Sequence, residues 1–393
     1  MKKVRLGDIA TVITKGTTPT MLGYNFVDDG VNFVKIESIT ENEEFLTDKF
    51  AHISDECNRK LSRSQLQRND LLFSIAGAIG RTAIVTDDIL PANTNQALAI
   101  IRVPEGEVDY SYLKYVLQSP AIVEQFEKKK QGVAQLNISL KDIGDFVIPL
   151  RTAEEQKSIV DTMDKVCGLI ALRKEQLAKL DELVKARFVE MFGTYPANEK
   201  GWETGTIRDL VSEVRYGSSR KAADGDSGKY PYLRMNNITY SGELDLTDTK
   251  TIDIPDEELQ KCTVRRGDVL FNRTNSKELV GKTCVYDRDE MMVLAGFVVR
   301  VRVNDRILPE ILSAFLNTDF SKQMLLAMCK AAIGQANINA QELQNIGIYI
   351  PPIELQREFV TFKQQVDKSK LVIQESLAEL ETLKKALMQK YFG

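Results

Sequence analysis

The sequence predicts an α+β protein: two similar globular heads of mixed helix and strand, separated by two long antiparallel coiled-coil helices and related by a pseudo-two-fold internal repeat. Three observations carry this. Passages of the first half return, in order, about 200 positions later. Each copy starts with short β-branched runs and ends in a proline-free stretch of helical period. A chain of 393 residues also exceeds one ordinary core, since a domain holds roughly 100–200.

The repeat is read element by element. Leu6-Gly7-Asp8-Ile9 is answered by Ile207-Arg208-Asp209-Leu210, and RNDLLF (68–73) by RGDVLF (266–271). GRTAIV (80–85) returns as GKTCVY (281–286), and ALAIIRV (97–103) as FVVRVRV (297–303). Gln135, Asn137 and Ile138 of GVAQLNIS return as Gln335, Asn337 and Ile338. LAKLDELVKARFVEMFG (177–193) returns as LAELETLKKALMQKYFG (377–393). Two copies are too few for a solenoid. The division this implies is a first head over 1–150, a central helix over 151–193, a second head over 194–350 and a terminal helix over 351–393.

Both helices carry a narrow apolar seam of the kind that pairs in a coiled coil. In the central helix it includes Ile159, Val166, Leu177 and Leu180, interrupted by Arg173 and Arg187. In the terminal helix it includes Phe359, Val366, Leu377 and Leu380, interrupted by Lys370 and Lys384. Pro149 and Pro351–Pro352 stand where a strand or loop ends and each helix begins. About 35 residues at 1.5 Å each span about 50 Å, which exceeds one turn of DNA. A core-forming hairpin within one domain is the competing reading of these helices.

Composition excludes several function classes. No apolar run approaches the ~20 residues of a membrane span, and the MKKVRLGDIA start lacks a signal-peptide core, so a cytoplasmic protein is expected. Five cysteines stand far apart without a C-x-x-C pair, which fits neither a disulfide framework nor a zinc site. One histidine, His52, reads as a structural or surface residue. SKELVGKT (276–283) has serine where a phosphate loop needs its first glycine, so a β-turn with a cationic side chain is expected there. No metal site and no catalytic residue is predicted. The net charge is −4, so any polyanion must be held by a local patch or with a partner's help.

What remains is a set of polar runs beside the strands. Arg, Lys, Asn and Gln are the side chains that read base edges, and lysines neutralise phosphates. In the second copy the candidates for bases are Arg220, Arg234, Asn236, Asn237, Arg273, Asn275 and Ser276, with Lys221, Lys277 and Lys282 for phosphates. In the first they are Thr17, Lys35, Glu37, Ser38, Ser74, Asn93, Asn95 and Gln96, with Lys15 and Arg81 on the backbone. Each competes with a plain role as a turn residue. Arg300 and Arg302 alternate with valines and are expected to face outward as surface charges. The matched runs differ between copies: SIAGAIGR stands against NRTNSKELVGK, and NTNQ against VLAG. One scaffold with two polar surfaces is what reading two different sequences requires.

These passages together resemble the specificity subunits of type I restriction-modification systems. The resemblance runs over essentially the whole chain. It rests on LGDIATVITKG, LLFSIAGAIGRTAIV…NTNQA, GVAQLNIS…IPL…EEQ, the repeated long helix, and YLRMNNIT…GDVLFNRTNSKELVGKT. It implies that each head is a target-recognition domain reading one half of a split, asymmetric site in double-stranded DNA. It implies that the helix pair fixes the gap and docks two methyltransferase subunits. The chain itself would be non-catalytic and hold no cofactor. The complex would use S-adenosylmethionine, and ATP and magnesium where restriction (motor-nuclease) subunits join. Competing readings are the specificity component of another multi-subunit restriction-modification system, a two-headed protein-binding scaffold, and an ATPase using Gly281-Lys282-Thr283.

Overall fold

Strand Lys2–Arg5 pairs antiparallel with Val147–Leu150, so the two ends of the first head are hydrogen-bonded together before the central helix begins. Glu203–Thr206 pairs with Gly347–Ile350 and closes the second head in the same way. The computed structural model describes residues 2–41, 43–104, 106–128, 137–223, 227–276, 279–329 and 336–393. It divides into two units, residues 1–172 with 376–393 and residues 173–375. The strands of each head fall within one unit. Each long helix, however, gives its two halves to different units, so the compact units cut across the four segments read from sequence.

In the first unit an antiparallel sheet runs in the order Val12–Lys15, Leu98–Arg102, Leu71–Ser74, Thr82–Ile84. A second sheet places Val31–Val34 between Ala51–Ile53 (antiparallel) and Ala92–Thr94 (parallel). The middle strands are buried on both faces, which is why LLFS and LAII read as unbroken apolar runs rather than alternating ones. The second unit repeats the order with Val211–Tyr216, Val298–Val303, Val269–Asn272 and Thr283–Val285. Its other sheet sets Tyr230–Leu233 between Lys250–Ile252 and, in parallel, Met292–Leu294. His52 is a half-buried strand residue opposite Asn32, and the five cysteines are free.

The helices Ala153–Phe192 and Ile353–Phe392 are each 40 residues long. In the first unit Ile159 and Met163 share a core with Met388 and Phe392, and the Phe392 ring meets Tyr112 edge-on at 5.5 Å. In the second unit Phe188, Phe192 and Phe359 form a mutual edge-to-face cluster with centroids 4.9–5.7 Å apart. Of the seam residues, Ile159, Val166, Phe359 and Val366 are buried. Leu177, Leu180, Leu377 and Leu380 are half-buried. The Lys370 interruption is buried too; its Nζ donates to Asp181 Oδ1 at 2.5 Å and to Glu243.

The expectation for Arg300 and Arg302 is overturned. Arg300 is buried and Arg302 half-buried, and neither is a plain surface charge. Arg302 forks onto Asp268 (2.8 and 3.3 Å) and reaches Glu213 at 2.6 Å, while Arg300 lies 3.2 Å from Glu213. Acids distant in sequence thus draw both guanidiniums inward. Arg102 forks onto Asp70 at 2.6 and 2.7 Å at the matching place in the first head. Among the described residues no helix is long and apolar enough to cross a membrane, and no His/Cys/Asp/Glu group could hold a metal.

Candidate nucleic-acid interface

In each head the loops that leave four strands meet at one edge, joined backbone to backbone. In the first, Gly16 N–H donates to Asn95 O at 3.1 Å, and Ile75 N–H to Ala97 O at 2.9 Å. Thr94 Oγ1 donates to Val34 O at 2.8 Å, and Thr18 Oγ1 to Gln96 Oε1 at 2.5 Å. In the second, Ser218 N–H donates to Leu294 O (2.7 Å), Gly296 N–H to Ser218 O (2.6 Å), Ala295 N–H to Leu233 O (2.9 Å) and Arg273 N–H to Phe297 O (3.0 Å). The approach needs glycine. A Cβ on Gly16 would lie 1.8 Å from Thr94 O, and one on Gly217 2.3 Å from Ala295 O.

The passage that first reveals the repeat braces this edge. Ile138 N–H donates to Ile75 O at 3.1 Å and Ile338 N–H to Arg273 O at 2.9 Å, and both isoleucines are buried. Ser139 and Asn339 then cap short helices with reciprocal partners Asp142 and Glu342. Gln135 and Gln335 lie outside the described residues.

The first-head candidates divide by burial. Lys15, Glu37 and Gln96 are exposed at the edge, and Thr17, Lys35, Arg81 and Asn95 are half-buried. Lys35 stands over the Phe26 ring at 4.6 Å, and Arg81 donates to Ile39 O at 2.7 Å. Ser38, Ser74 and Asn93 do not belong to the surface. Ser38 Oγ donates to Lys49 O, and Ser74 Oγ to Ala76 O. Asn93 accepts from Ser64 Oγ (2.7 Å) and donates to Asn58 Oδ1 and Leu61 O. All three hold the loops from within, because small side chains with a donor and an acceptor satisfy buried turns.

In the second head Arg220, Lys221 and Asn236 are exposed, and Arg234, Arg273, Asn275 and Ser276 half-buried. Arg220 forks onto Glu258 at 2.7 and 3.2 Å, a hydrogen-bonded pairing that raises the guanidinium pKa and lowers that of the carboxyl. Arg234 NH2 donates to both Asp248 O and Asp248 Oδ2. Asn237 and Lys282 are corrections. Asn237 is buried, accepting from Arg234 N–H and donating to Asp245 O and Asp248 O. Lys282 is buried with its Nζ on Met235 O at 2.9 Å, and burial pulls its pKa down. It therefore faces a carbonyl rather than a phosphate. Lys277 lies outside the described residues.

Sequence reasoning missed two residues of this edge. Tyr216 is 44% exposed beneath the Arg273 guanidinium, 4.9 Å from the ring centroid, and Phe297 is 51% exposed beside Gly296. Neither was among the candidates. Their positions in the repeat, opposite Lys15 and Ala97, are the signal that finds them. The edge thus offers donors, acceptors and aromatic faces on one frame, and among the described residues no nucleophile–base pair. Such a surface suits recognition of a polymer with edges to read.

The family model described as "Type I restriction modification DNA specificity domain" matches the chain twice, at residues 1–182 and 199–382. The EcoKI specificity subunit of Escherichia coli K12 is 20% identical over 308 residues, covering 74% of this chain and 66% of that protein. The EcoBI specificity subunit of Escherichia coli is 29% identical over 172 residues, 42% of this chain and 35% of that one. The chain therefore spans less than two thirds of these curated relatives. A chain from a solved structure concerned with assembly and conformational transition of the type I R-M system superposes with TM-score 0.57 at 21% identity. That superposition covers 100% of this chain and 97% of the other, and supports the fold.

Proposed function

Since this chain belongs to the type I restriction-modification DNA specificity family and carries its domain twice, we propose that it is the non-catalytic DNA-reading subunit of a restriction-modification complex. Each head reads one half of a split, asymmetric site in double-stranded DNA. The observation that carries this is the four-loop edge, present in both heads and braced alike by Ile75 N–H to Ala97 O with Ile138 N–H to Ile75 O, and by Arg273 N–H to Phe297 O with Ile338 N–H to Arg273 O, but furnished with different side chains. A shared frame with unlike edges suits two unlike half-sites.

The long helices act as an antiparallel ruler that sets the gap between half-sites and docks two methyltransferase subunits. Supporting this, Leu169, Leu172, Leu183, Leu371, Val372 and Leu383 on the helices are exposed. The complex uses S-adenosylmethionine for methylation, and ATP and magnesium where restriction subunits join. The chain alone binds DNA weakly. Its net charge is −4, and Arg220 and Arg234 at the edge are already engaged by Glu258 and Asp248.

The test is methylation-sensitive single-molecule sequencing of DNA from cells expressing this chain with its methyltransferase. A split motif methylated in both halves is expected. Exchanging residues 194–350 for another head changes one half only. An active complex that methylates no split motif refutes the reading.

A further inference from the structure

We propose that Tyr216, Arg273 and Phe297 form a base-reading point of the second head, with Arg273 directed at a guanine and Phe297 covering the methyl group of a neighbouring thymine. The inference rests on the DNA-reading role proposed above and names the residues and bases of one half.

The three side chains leave three loops locked together by backbone hydrogen bonds. Arg273 N–H donates to Phe297 O at 3.0 Å, Arg273 O accepts from Ile338 N–H at 2.9 Å, and Gly296 N–H donates to Ser218 O at 2.6 Å. The Tyr216 hydroxyl accepts the Ala340 N–H at 2.9 Å, which fixes the ring. Arg273 then lies over that ring at 4.9 Å, with NH1 at 3.4 Å from Gly296 O. A guanidinium held in one plane by an aromatic face is pre-organised for a bidentate acceptor, and O6 with N7 of guanine is the acceptor pair on DNA.

Phe297 has no such tie through its side chain. It is half exposed on a loop tied to its neighbours by backbone hydrogen bonds, from Gly296 N–H to Ser218 O at 2.6 Å and from Arg273 N–H to Phe297 O at 3.0 Å. The half-exposed ring leaves an apolar face open at the edge, and covering it with an apolar group of the DNA gains the burial of both. The apolar feature in the major groove is the thymine C5 methyl. The first head lacks this arrangement, with exposed Lys15, buried Ile75 and half-buried Ala97 at the matching places. The two heads therefore read their halves by different chemistry.

The experiment uses the complex with its methyltransferase subunits and duplexes bearing the motif found by methylation sequencing. Each thymine of the second half is replaced singly by deoxyuridine, which deletes only the methyl. At one position competition binding weakens by about fourfold, the worth of one buried methyl. Phe297→Ala abolishes that sensitivity, and Phe297→Leu keeps it. Arg273→Gln relaxes the choice of one guanine in the same half by about tenfold or more. Indifference of the parent complex to every deoxyuridine, or a second half without thymine on either strand, overturns the inference while the two-head reading stands. Absence of any split motif removes both.

Discussion

Gln156 and Gln356, one in each unit, make the same three hydrogen bonds. Gln156 Oε1 accepts Asp109 N–H at 2.8 Å, and its Nε2 donates to Glu107 O at 3.2 Å and Arg151 O at 3.0 Å. Gln356 Oε1 accepts Leu308 N–H at 2.8 Å, and its Nε2 donates to Arg306 O at 3.0 Å and Pro351 O at 2.8 Å. Both are buried in the first turn of a long helix and tie it to the loop that leads into a helix of the head.

Replacing either glutamine by leucine strands an N–H and two carbonyls. Gln356→Leu lowers the stability of its unit by about 2–4 kcal/mol, the cost of several buried unsatisfied groups. Trp202, the single tryptophan, lies in the second unit with Nε1 on Phe192 O, so its fluorescence reports this change in urea. Gln156→Leu moves the circular-dichroism transition instead. Midpoints within error of the parent for both variants would show these bonds to be dispensable.

At the edge of the second head Arg220 is paired with Glu258 and Arg234 with Asp248. Arg220 and Glu258 are both substantially exposed, so the pair itself adds little stability. Glu258→Gln frees the guanidinium for phosphate or base. In the complex, DNA binding strengthens and the slope of log affinity against log salt steepens by up to about one unit. A titration between 50 and 200 mM salt reads both, and an unchanged slope places Arg220 away from DNA.

The repeat, the strand runs and the two long helices were legible because they rest on local periodicity and glycine or proline punctuation. Burial of polar residues was not. Ser38, Asn93 and Asn237 look in sequence like any surface Asn or Ser, and only contacts 8 to 35 residues distant make them loop braces. Arg300 misleads for the same reason, since its acid Glu213 is on another strand. The recurrence of Asp70 with Arg102 and of Asp268 with Arg302 was a readable signal: a charged pair kept in both copies points inward. Tyr216, at the end of a strand, and Phe297, just before one, escaped because exposure of a single aromatic residue has no local signature.

Lys322 gives a pH-dependent stability of known sign. Burial first, then Lys185 and Lys282, push its ammonium down to about 7; its Nζ donates to Gly281 O at 2.8 Å and stands over the Tyr240 ring. In the unfolded chain the group stays protonated to about pH 10.4. Between those values the unfolded state binds the extra proton, so stability falls as pH drops from about 10 to about 7 and levels off below. Lys322→Met removes this penalty. The variant is more stable than the parent near pH 6.5, on the order of 1–2 kcal/mol once partial exposure is discounted, and the gap closes toward pH 10. Melting curves at pH 6.5 and 9.5 decide it, and a gap that widens with pH contradicts the assignment.

Gly16 and Gly217 give a test that separates the heads. At both, a methyl group would overlap a carbonyl oxygen of the opposing loop, Thr94 O at 1.8 Å and Ala295 O at 2.3 Å. Neither clash is relieved by a side-chain rotation, because the obstacle is backbone, so the loops must part. Overpacking of this kind costs about 1–3 kcal/mol and here displaces the reading edge itself. Gly217→Ala therefore loosens recognition of the second half-site by about tenfold while the first half is kept, and Gly16→Ala does the reverse. Gly168 on the central helix is the control, since nothing lies within 4 Å of its added Cβ and alanine favours the helix by about 1 kcal/mol. Methylation sequencing of the three variants reads each half separately. Equal loss in both halves from Gly217→Ala would mean that the glycine serves folding of the chain rather than the edge it supports.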